Sequence, residues 1–356
     1  MSIFGSDNWA GASDRVMATL SEANAGAAPA YGNDIWTRRA KDALAAFFER
    51  EVSAFFVATG SGANALALAV YSRPGGAVLC HPDAHIARDE AGAPILFAPQ
   101  MIEGVDGPRG LIDPDRLARR LNDYAAGNVN DGRPAAVSLT NANELGQCYT
   151  PDEVARIADL AKTAGAAVHM DGARFMNALA FLGVSAADLT WRAGVDTLSL
   201  GLTKVGAWCA EVVVQFDGDR AEDTRYRQKQ AAMLISKNRF AAAQVCALLE
   251  DDHALALARH SNAMAVRLAD AFAAAGIGLG FTPQANEVFA WLPGETAARL
   301  KAAGVSFAPW NDMRSAFVPS GPEGAGLYRF VTSFRTTAED IAALAVALGT
   351  NAPAGA

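Results

Sequence analysis

From residue 53 to residue 217 the chain switches repeatedly between short apolar runs and stretches with helical spacing, and this alternation limits it to few architectures. The runs "SAFFVA" (53–58), "AVLC" (77–80), "PILFA" (94–98), "AAVSLT" (135–140), "AAVHM" (166–170), "TLSL" (197–200) and "CAEVVVQFD" (209–217) read as strands. Between them "GANALALAVYS" (62–72) and "PDRLARRLNDYAAG" (114–127, ended by glycine) read as helices. So does "PDEVARIADLAKTAG" (151–165), with proline in its first turn and glycine at its stop. Strands rich in Val, Leu and Ala that alternate with helices predict an α/β fold around a mostly parallel sheet.

The flanks read differently. Residues 1–34 are rich in Gly, Ala, Pro and Asn around one helical stretch, Asp14–Ala23, and "IWTRRAKDALAAFFER" (35–50) repeats apolar residues at helical spacing. From about 226 to 275 the pattern is almost purely helical. Two glycine-rich turns follow, "GIGLGF" and "PSGPEGAG", with a strand "YRFVTSF" (328–334) and a helix "TAEDIAALAVALG" (337–349) at the end. At 356 residues the chain is long enough for a large and a small domain. The expected division is an N-terminal segment 1–15, a large domain 16–245 and a smaller C-terminal α+β domain 246–356.

A formal charge of −8 with no basic cluster argues against nucleic acid or an anionic membrane as partner. The four cysteines, Cys80, Cys148, Cys209 and Cys246, form no CxxC pair, which argues against a disulfide scaffold or zinc ribbon and fits a reducing compartment. The N-terminal "MSIFGSDNWAGAS" lacks a basic region followed by an apolar one, and no apolar run approaches the ~18 residues of a membrane span. The expectation is an untargeted, non-membrane, cytoplasmic protein.

In open α/β sheets ligands bind beyond the carboxyl ends of the strands, so the residues after each run carry the most information. After "SAFFVA" stand Thr59, Gly60, Ser61, Gly62, Ala63 and Asn64, opening a helix. Small residues at a helix N-terminus suit a phosphate. They suit a tight strand-to-helix turn equally, and the pattern is neither GxGxxG nor a P-loop. After "AVLC" comes "HPDAHIARDE", where His81 and His85 are four residues apart. Pro82 and the lack of an HExxH arrangement argue against a metal site, leaving His85 as an active-site imidazole or a surface or capping histidine. After "AAVSLT" come Asn141, Asn143 and Glu144. After "AAVHM" comes "DGAR", with Asp171 at the strand end and Arg174 within reach; a lone Asp there is as readily a helix cap or ion-pair partner.

Thr203 and Lys204 follow "TLSL". Lys204 is one of only six lysines and sits among apolar residues, hydroxyls and glycines in "LSLGLTKVGA" (198–207). An ammonium there must be ion-paired, desolvated or covalently occupied. One chemistry uses these strand ends together. Pyridoxal phosphate needs an anion cradle, a lysine for a Schiff base, and a carboxylate that keeps its pyridine nitrogen protonated; an aromatic or imidazole plane against its ring also helps. The 33 residues from Asp171 to Lys204 leave room for a helix and a strand.

In order and spacing, the motifs "SDN", "APAYG", "TGSGANALAL", "HPDAHIARDE", "HMDGARF", "GVDTLSLGLTKVGA", "SKNRFAAAQ" and "RFVTSF" run over nearly the whole chain. With them the chain resembles the low-specificity L-threonine aldolases, a fold-type I pyridoxal-phosphate group that includes phenylserine aldolases. The resemblance implies a fold-type I transferase-like large domain and pyridoxal 5'-phosphate as cofactor. Lys204 would carry the cofactor and Asp171 would face its pyridine nitrogen. Gly60, Ser61 and Gly62 would hold its phosphate, with Thr203 nearby, and His85 would stack on the ring near the substrate hydroxyl. Ser6, Arg174 and Arg329 would bind the amino-acid carboxylate. A basic residue of a neighbouring subunit, Lys237 or Arg239, would reach the phosphate, so a homodimer or homotetramer with active sites at the subunit interface is implied as well. Two positions depart from the group: Asn143 stands where many members have a second histidine, and Val205 follows the lysine where a polar or small residue is common.

The implied reaction is reversible retro-aldol cleavage of an L-β-hydroxy-α-amino acid (threonine, allo-threonine or phenylserine type) to glycine and an aldehyde. His85 would take the β-hydroxyl proton, directly or through water; with Asn143 in place of the second histidine, Glu144 is the other residue to which that role could fall. Another fold-type I reaction, such as β-elimination, transamination or decarboxylation, could use the same residues. Nucleotide binding without a Schiff base and a non-catalytic binding role are the remaining alternatives; Lys204 and Asp171 argue against the last.

Overall fold

Seven strands form the main sheet of the computed structural model, which describes residues 3–124, 130, 132–317 and 319–350. They are β1 (Ser53–Val57), β2 (Gly76–Cys80), β3 (Met101–Gly104), β4 (Arg133–Thr140), β5 (Ala167–Gly172), β6 (Thr197–Gly201) and β7 (Glu211–Gln215). Their spatial order is β1-β7-β6-β5-β4-β2-β3. β2 runs parallel to β3 and β4, β4 to β5, and β5 to β6, so the sheet is mostly parallel as the alternation predicts. β7 is the exception, antiparallel to both β6 and β1. Only residues 202–210 join it to β6, too few for the crossover that a parallel pair needs. Every residue of β2, β6 and β7 is buried, because the sheet is covered on both faces.

One expected strand is absent. "PILFA" does not pair; Ala93–Leu96 is a single helical turn entered through Gly92 in the left-handed region, with Pro94 in the turn. The strand of this region is β3, "MIEG", at the sheet edge, where Glu103 pairs with Arg120. A five-residue apolar run does not distinguish strand from helix, and a four-residue edge strand with a charge offers no run to recognise. The helix expected over 114–127 is seen from Pro114 to Asp123; its stop at Gly127 lies outside the described residues, as do the extreme ends of the segments 1–15 and 246–356. Thr150 and Glu153 cap each other's backbone at the start of the helix Pro151–Thr163, fixing its entry.

The expected helical stretch resolves into Ala221–Gln230, Arg239–Leu249 and His253–Ala274. The expected boundary at 245/246 falls inside the second of these. A second, antiparallel sheet follows: β8 (Glu287–Pro293), β9 (Ala308–Pro309) and β10 (Ala325–Val331), in the order β8-β10-β9. β10 begins three residues before the strand expected at 328–334. The closing helix Ala338–Leu348 starts with a reciprocal cap between Thr337 and Asp340 and stops at Gly349, whose φ is 84°.

Two apolar cores result. The main one gathers Leu44, Phe48, Val137, Met170, Phe175 and Leu198, and the second gathers Phe4, Val288, Leu292, Phe330 and Leu344. The helix His253–Ala274 serves both, placing Ala254 and Ala258 in the first and Leu268 and Phe272 in the second. Burying each such Leu or Phe fully stabilises by about 1.5–3 kcal/mol, so this helix fixes where β8 and β10 stand relative to the main sheet. Among the described residues no helix is long and apolar enough to cross a membrane.

Candidate active site

The carboxyl ends of β1, β4, β5 and β6 and the amino end of the reversed β7 surround a cavity of about 290 Å³. Gly60, Ser61, His85, Asp171, Arg174, Thr203 and Lys204 all line it. Residues from all five segments that follow the predicted strands line it, His85 arriving on the segment after β2, and β7 adds Glu211.

At the first of them, Thr59 caps the helix Gly60–Tyr71, its hydroxyl accepting from the Gly62 N–H at 3.1 Å. Gly62 is therefore engaged and does not line the cavity. The N–H groups of Gly60 and Ser61 have no partner within the helix, as in any first turn. A Cβ placed on Gly60 would meet nothing within 4 Å, so the approach is open.

Asp171 is buried at the end of β5 and accepts from Nδ2 of Asn64 at 2.8 Å and from the Ala173 N–H at 3.0 Å. The same Nδ2 donates to Oε1 of Glu90 at 2.8 Å, and Nδ1 of His85 lies 2.9 Å from that oxygen. A hydrogen-bonded chain thus runs from His85 through Glu90 and Asn64 to Asp171. The Glu90 contact raises the pKa of His85 above its ordinary value, against the effect of burial. His81 is held separately, by the Gly107 carbonyl and Asp106, so the two histidines share no partner.

Lys204 sits half-buried on the short turn Thr203–Val205 after β6. Among the described residues no carboxylate lies within salt-bridge distance of its Nζ, so it is not one half of an ion pair. Gly201, at the end of β6, brings this turn against β5: a Cβ there would lie 2.6 Å from the Cα of Ala173 and 2.7 Å from the Gly172 carbonyl. Only glycine permits that approach. Val205 is buried in the main core and does not line the cavity.

Two carboxyls in the wall hold protons unusually well. Burial, with the Asp171 carboxylate nearby, pushes Glu144 up to about 7, and its Oε1 accepts from the His85 N–H at 2.7 Å. Burial pushes Glu211 up to about 7 as well, with the Leu202 N–H 2.6 Å away. Asn143 lines the cavity, but its amide staples the loop: Oδ1 accepts from the Leu145 and Gln147 N–H groups, and Nδ2 donates to the Arg109 carbonyl.

The three residues expected to bind a carboxylate are less tightly gathered. Arg174 lines the cavity and forks onto Asp7. Arg329 lies behind it, beside Glu287 and over the Trp310 ring, and does not line the cavity. Ser6 accepts from the Asn8 N–H at 3.1 Å, and it is Asn8 that reaches the wall. Lys237 is exposed, and Arg239 donates to the Gly26 carbonyl; neither reaches this cavity within one chain. The sequence reading assigned nothing to Asp7, Asn64, Glu90, Glu211 or Glu287. Glu90 shares the motif "HPDAHIARDE" with His85 and Asp7 stands next to Ser6 in "SDN", so a carboxylate beside an expected site residue was the available signal. Glu211 and Glu287 offered none.

The beta-eliminating lyase family model matches residues 4–293. The low specificity L-threonine aldolase of Pseudomonas aeruginosa is 39% identical over 96% of this chain and 95% of its own length. The low specificity L-threonine aldolase of another Pseudomonas is 38% identical over 85% and 88%. Among solved structures, a threonine aldolase of Leishmania major superposes with a TM-score of 0.89 at 23% identity, covering 98% of this chain and 99% of that one.

Proposed function

The chain belongs to the beta-eliminating lyase family, in its low-specificity L-threonine aldolase group, and from that premise we propose that this cavity is where an L-β-hydroxy-α-amino acid is cleaved to glycine and an aldehyde. The protein is a pyridoxal-phosphate-dependent aldehyde-lyase of the fold-type I class. The observation that carries the site assignment is Lys204, a half-buried amine free of any carboxylate partner among the described residues, in the same cavity wall as Asp171.

The residues present fit the cofactor. Gly60 and Ser61 offer open N–H groups and a hydroxyl to a phosphate. Asp171, held by Asn64 and Ala173, offers a carboxylate to the ring nitrogen, and the buried Oδ1 of Asn64 has no partner among the described residues. Lys204 offers its amine to the cofactor aldehyde. Bound there, pyridoxal phosphate supplies an electron sink for the pair left when the Cα–Cβ bond breaks.

The chain's own residues do the rest. Arg174, with Arg329 and Ser6 behind it, takes the substrate carboxylate and so orients the bond to be broken. Glu90 accepts from Nδ1 of His85, which leaves Nε2 as the atom that takes the β-hydroxyl proton, directly or through water. Replacing His85 by asparagine is expected to lower kcat/KM by about 10–100-fold. It is also expected to remove the acidic limb of the pH profile: Glu90 raises the His85 pKa, so the wild-type base form is gained only as pH rises past that raised value. A variant with wild-type rate and profile would take His85 out of the mechanism.

Incubation of the holoenzyme with threonine or phenylserine tests the whole reading. Glycine and an aldehyde are expected in equal amounts; a keto acid with ammonia would indicate β-elimination instead.

The phosphate contact from Lys237 or Arg239 is assigned to a second copy of the chain, in a homodimer or homotetramer. Their position outside this cavity supports that reading, as do the exposed Trp9, Tyr31 and Trp208. Lys237→Ala or Arg239→Ala is expected to weaken cofactor retention about tenfold or more, and sedimentation reports the assembly directly. A monomer that retains its cofactor normally would contradict the assignment. Residues 16–245 are read as the cofactor-binding unit and 246–356 as the unit that carries Arg329 to it. The free cysteines support a reducing, cytoplasmic setting.

A further inference from the structure

Arg174 already has carboxylate partners. Its Nε and Nη2 lie 2.8 and 3.2 Å from the two oxygens of Asp7, and its Nη1 lies 3.1 Å from Oε2 of Glu287 without the alignment of a hydrogen bond. The Glu287 side chain, on β8, is fully buried, and its Oε1 lies 3.5 Å from Nη1 of Arg329 on β10. Glu287 therefore bridges the two arginines assigned to the substrate carboxylate. The Arg329 contact is a long hydrogen bond, the Arg174 contact is close but misaligned, and among the described residues the buried Nε of Arg329 has no hydrogen-bond partner. Asp7 is held far better, since it also accepts from Nδ2 of Asn286 at 3.0 Å.

Charge makes the arrangement consequential. Two guanidiniums and two carboxylates balance, and Lys204, which also faces Asp7 and Glu287, is committed to the cofactor. A substrate carboxylate would add a third negative charge beside these largely buried groups, and a buried charge without compensation is strongly unfavourable. The relief is for one carboxylate to take a proton. Burial alone would raise Asp7, but Arg174 and Lys204 hold its carboxyl below the usual range. Burial keeps Glu287 above its ordinary value in spite of Arg174 and Arg329.

We propose that Glu287 is an internal stand-in for the substrate carboxylate: it bridges Arg174 and Arg329 in the free protein and yields them, taking a proton from solvent, when the substrate carboxylate enters. This rests on the reading that those arginines receive the substrate. Glu287 thereby sets how tightly amino acids bind and makes binding weaken as pH rises.

Glycine binding to the holoenzyme tests it by titration calorimetry in two buffers of different ionisation enthalpy, which counts protons taken up. Glu287→Gln is expected to bind glycine roughly tenfold more tightly at pH 8, within the usual range for the coupling of two events at one site, and to take up fewer protons than wild type. The amino group of glycine titrates identically in both, so the difference isolates Glu287. Glu287→Asp, whose shorter side chain spans the arginines less well, is expected to bind more tightly while keeping part of the uptake, and serves if the glutamine variant does not fold. Weaker binding in both variants, or unchanged affinity with unchanged uptake, would overturn the proposal. Arg329→Ala separates the two levels of inference. If it leaves glycine affinity unaltered, the carboxylate reading falls and the stand-in role with it; if it weakens binding while Glu287→Gln changes nothing, only the stand-in role falls.

Discussion

Lys204→Ala is expected to lose aldehyde release from threonine or phenylserine by about 10³-fold or more, because the variant has no amine to hold the cofactor or to release product from it. The expectation follows from its placement. Lys204 is half-buried after β6, has no carboxylate within salt-bridge distance among the described residues, and shares the cavity with Asp171 and the open helix start at Gly60. A structural lysine would be expected to sit within salt-bridge distance of a carboxylate, and among the described residues none lies that close. Two measurements are needed. Coupled detection of the aldehyde reads turnover, and borohydride treatment followed by mass measurement reads covalent attachment; the wild type should gain the cofactor's mass and the variant should not. Ordinary turnover in the variant would end the assignment. Loss of turnover with attachment retained would move the lysine's role to another residue.

The second large effect is expected at Asp171. Asparagine has nearly the same shape and can still accept from the Ala173 N–H, but it carries no charge. It cannot stabilise a protonated ring nitrogen, so the electron sink weakens just when the Cα–Cβ pair needs it. Asp171→Asn is expected to lower kcat by about 10²–10⁴-fold, the range seen when a positioned charge or proton carrier is removed. The loss should exceed that of His85→Asn measured in the same assay. The amide also turns a donor toward Nδ2 of Asn64, so the chain of hydrogen bonds to Glu90 and His85 must rearrange. A kcat within tenfold of wild type would show that the ring nitrogen does not depend on this carboxylate.

Much of the site was readable because strand ends in α/β sheets face one way. Asp171 follows an apolar run directly and Thr203 and Lys204 come within four residues of another, so their convergence needed only the alternation. The reversal of β7 had a readable cause too, the missing helix between "TLSL" and "CAEVVVQFD", which the mostly parallel expectation passed over. What sequence spacing could not supply was pairing at a distance. Asn64 meets Asp171 across 107 positions, and Asn286 meets Asp7 across 279. Glu287 lies in a stretch for which the sequence predicted no element, and only the docking of the second sheet makes it the partner of two arginines. The helix His253–Ala274 creates that docking, and its own apolar spacing says nothing of what it brings together.

The closeness enforced by Gly201 bears on how this enzyme could be re-engineered. The turn carrying Lys204 presses on the backbone of β5 at 2.6–2.7 Å from where any side chain would begin, so a mutant library that spans this loop should hold position 201 fixed. Every other residue there would push the amine away from Asp171. Diversity aimed at new aldehydes is better placed at lining residues such as Asn8 and those around Glu144, where the wall is made of side chains and not of one backbone resting on another.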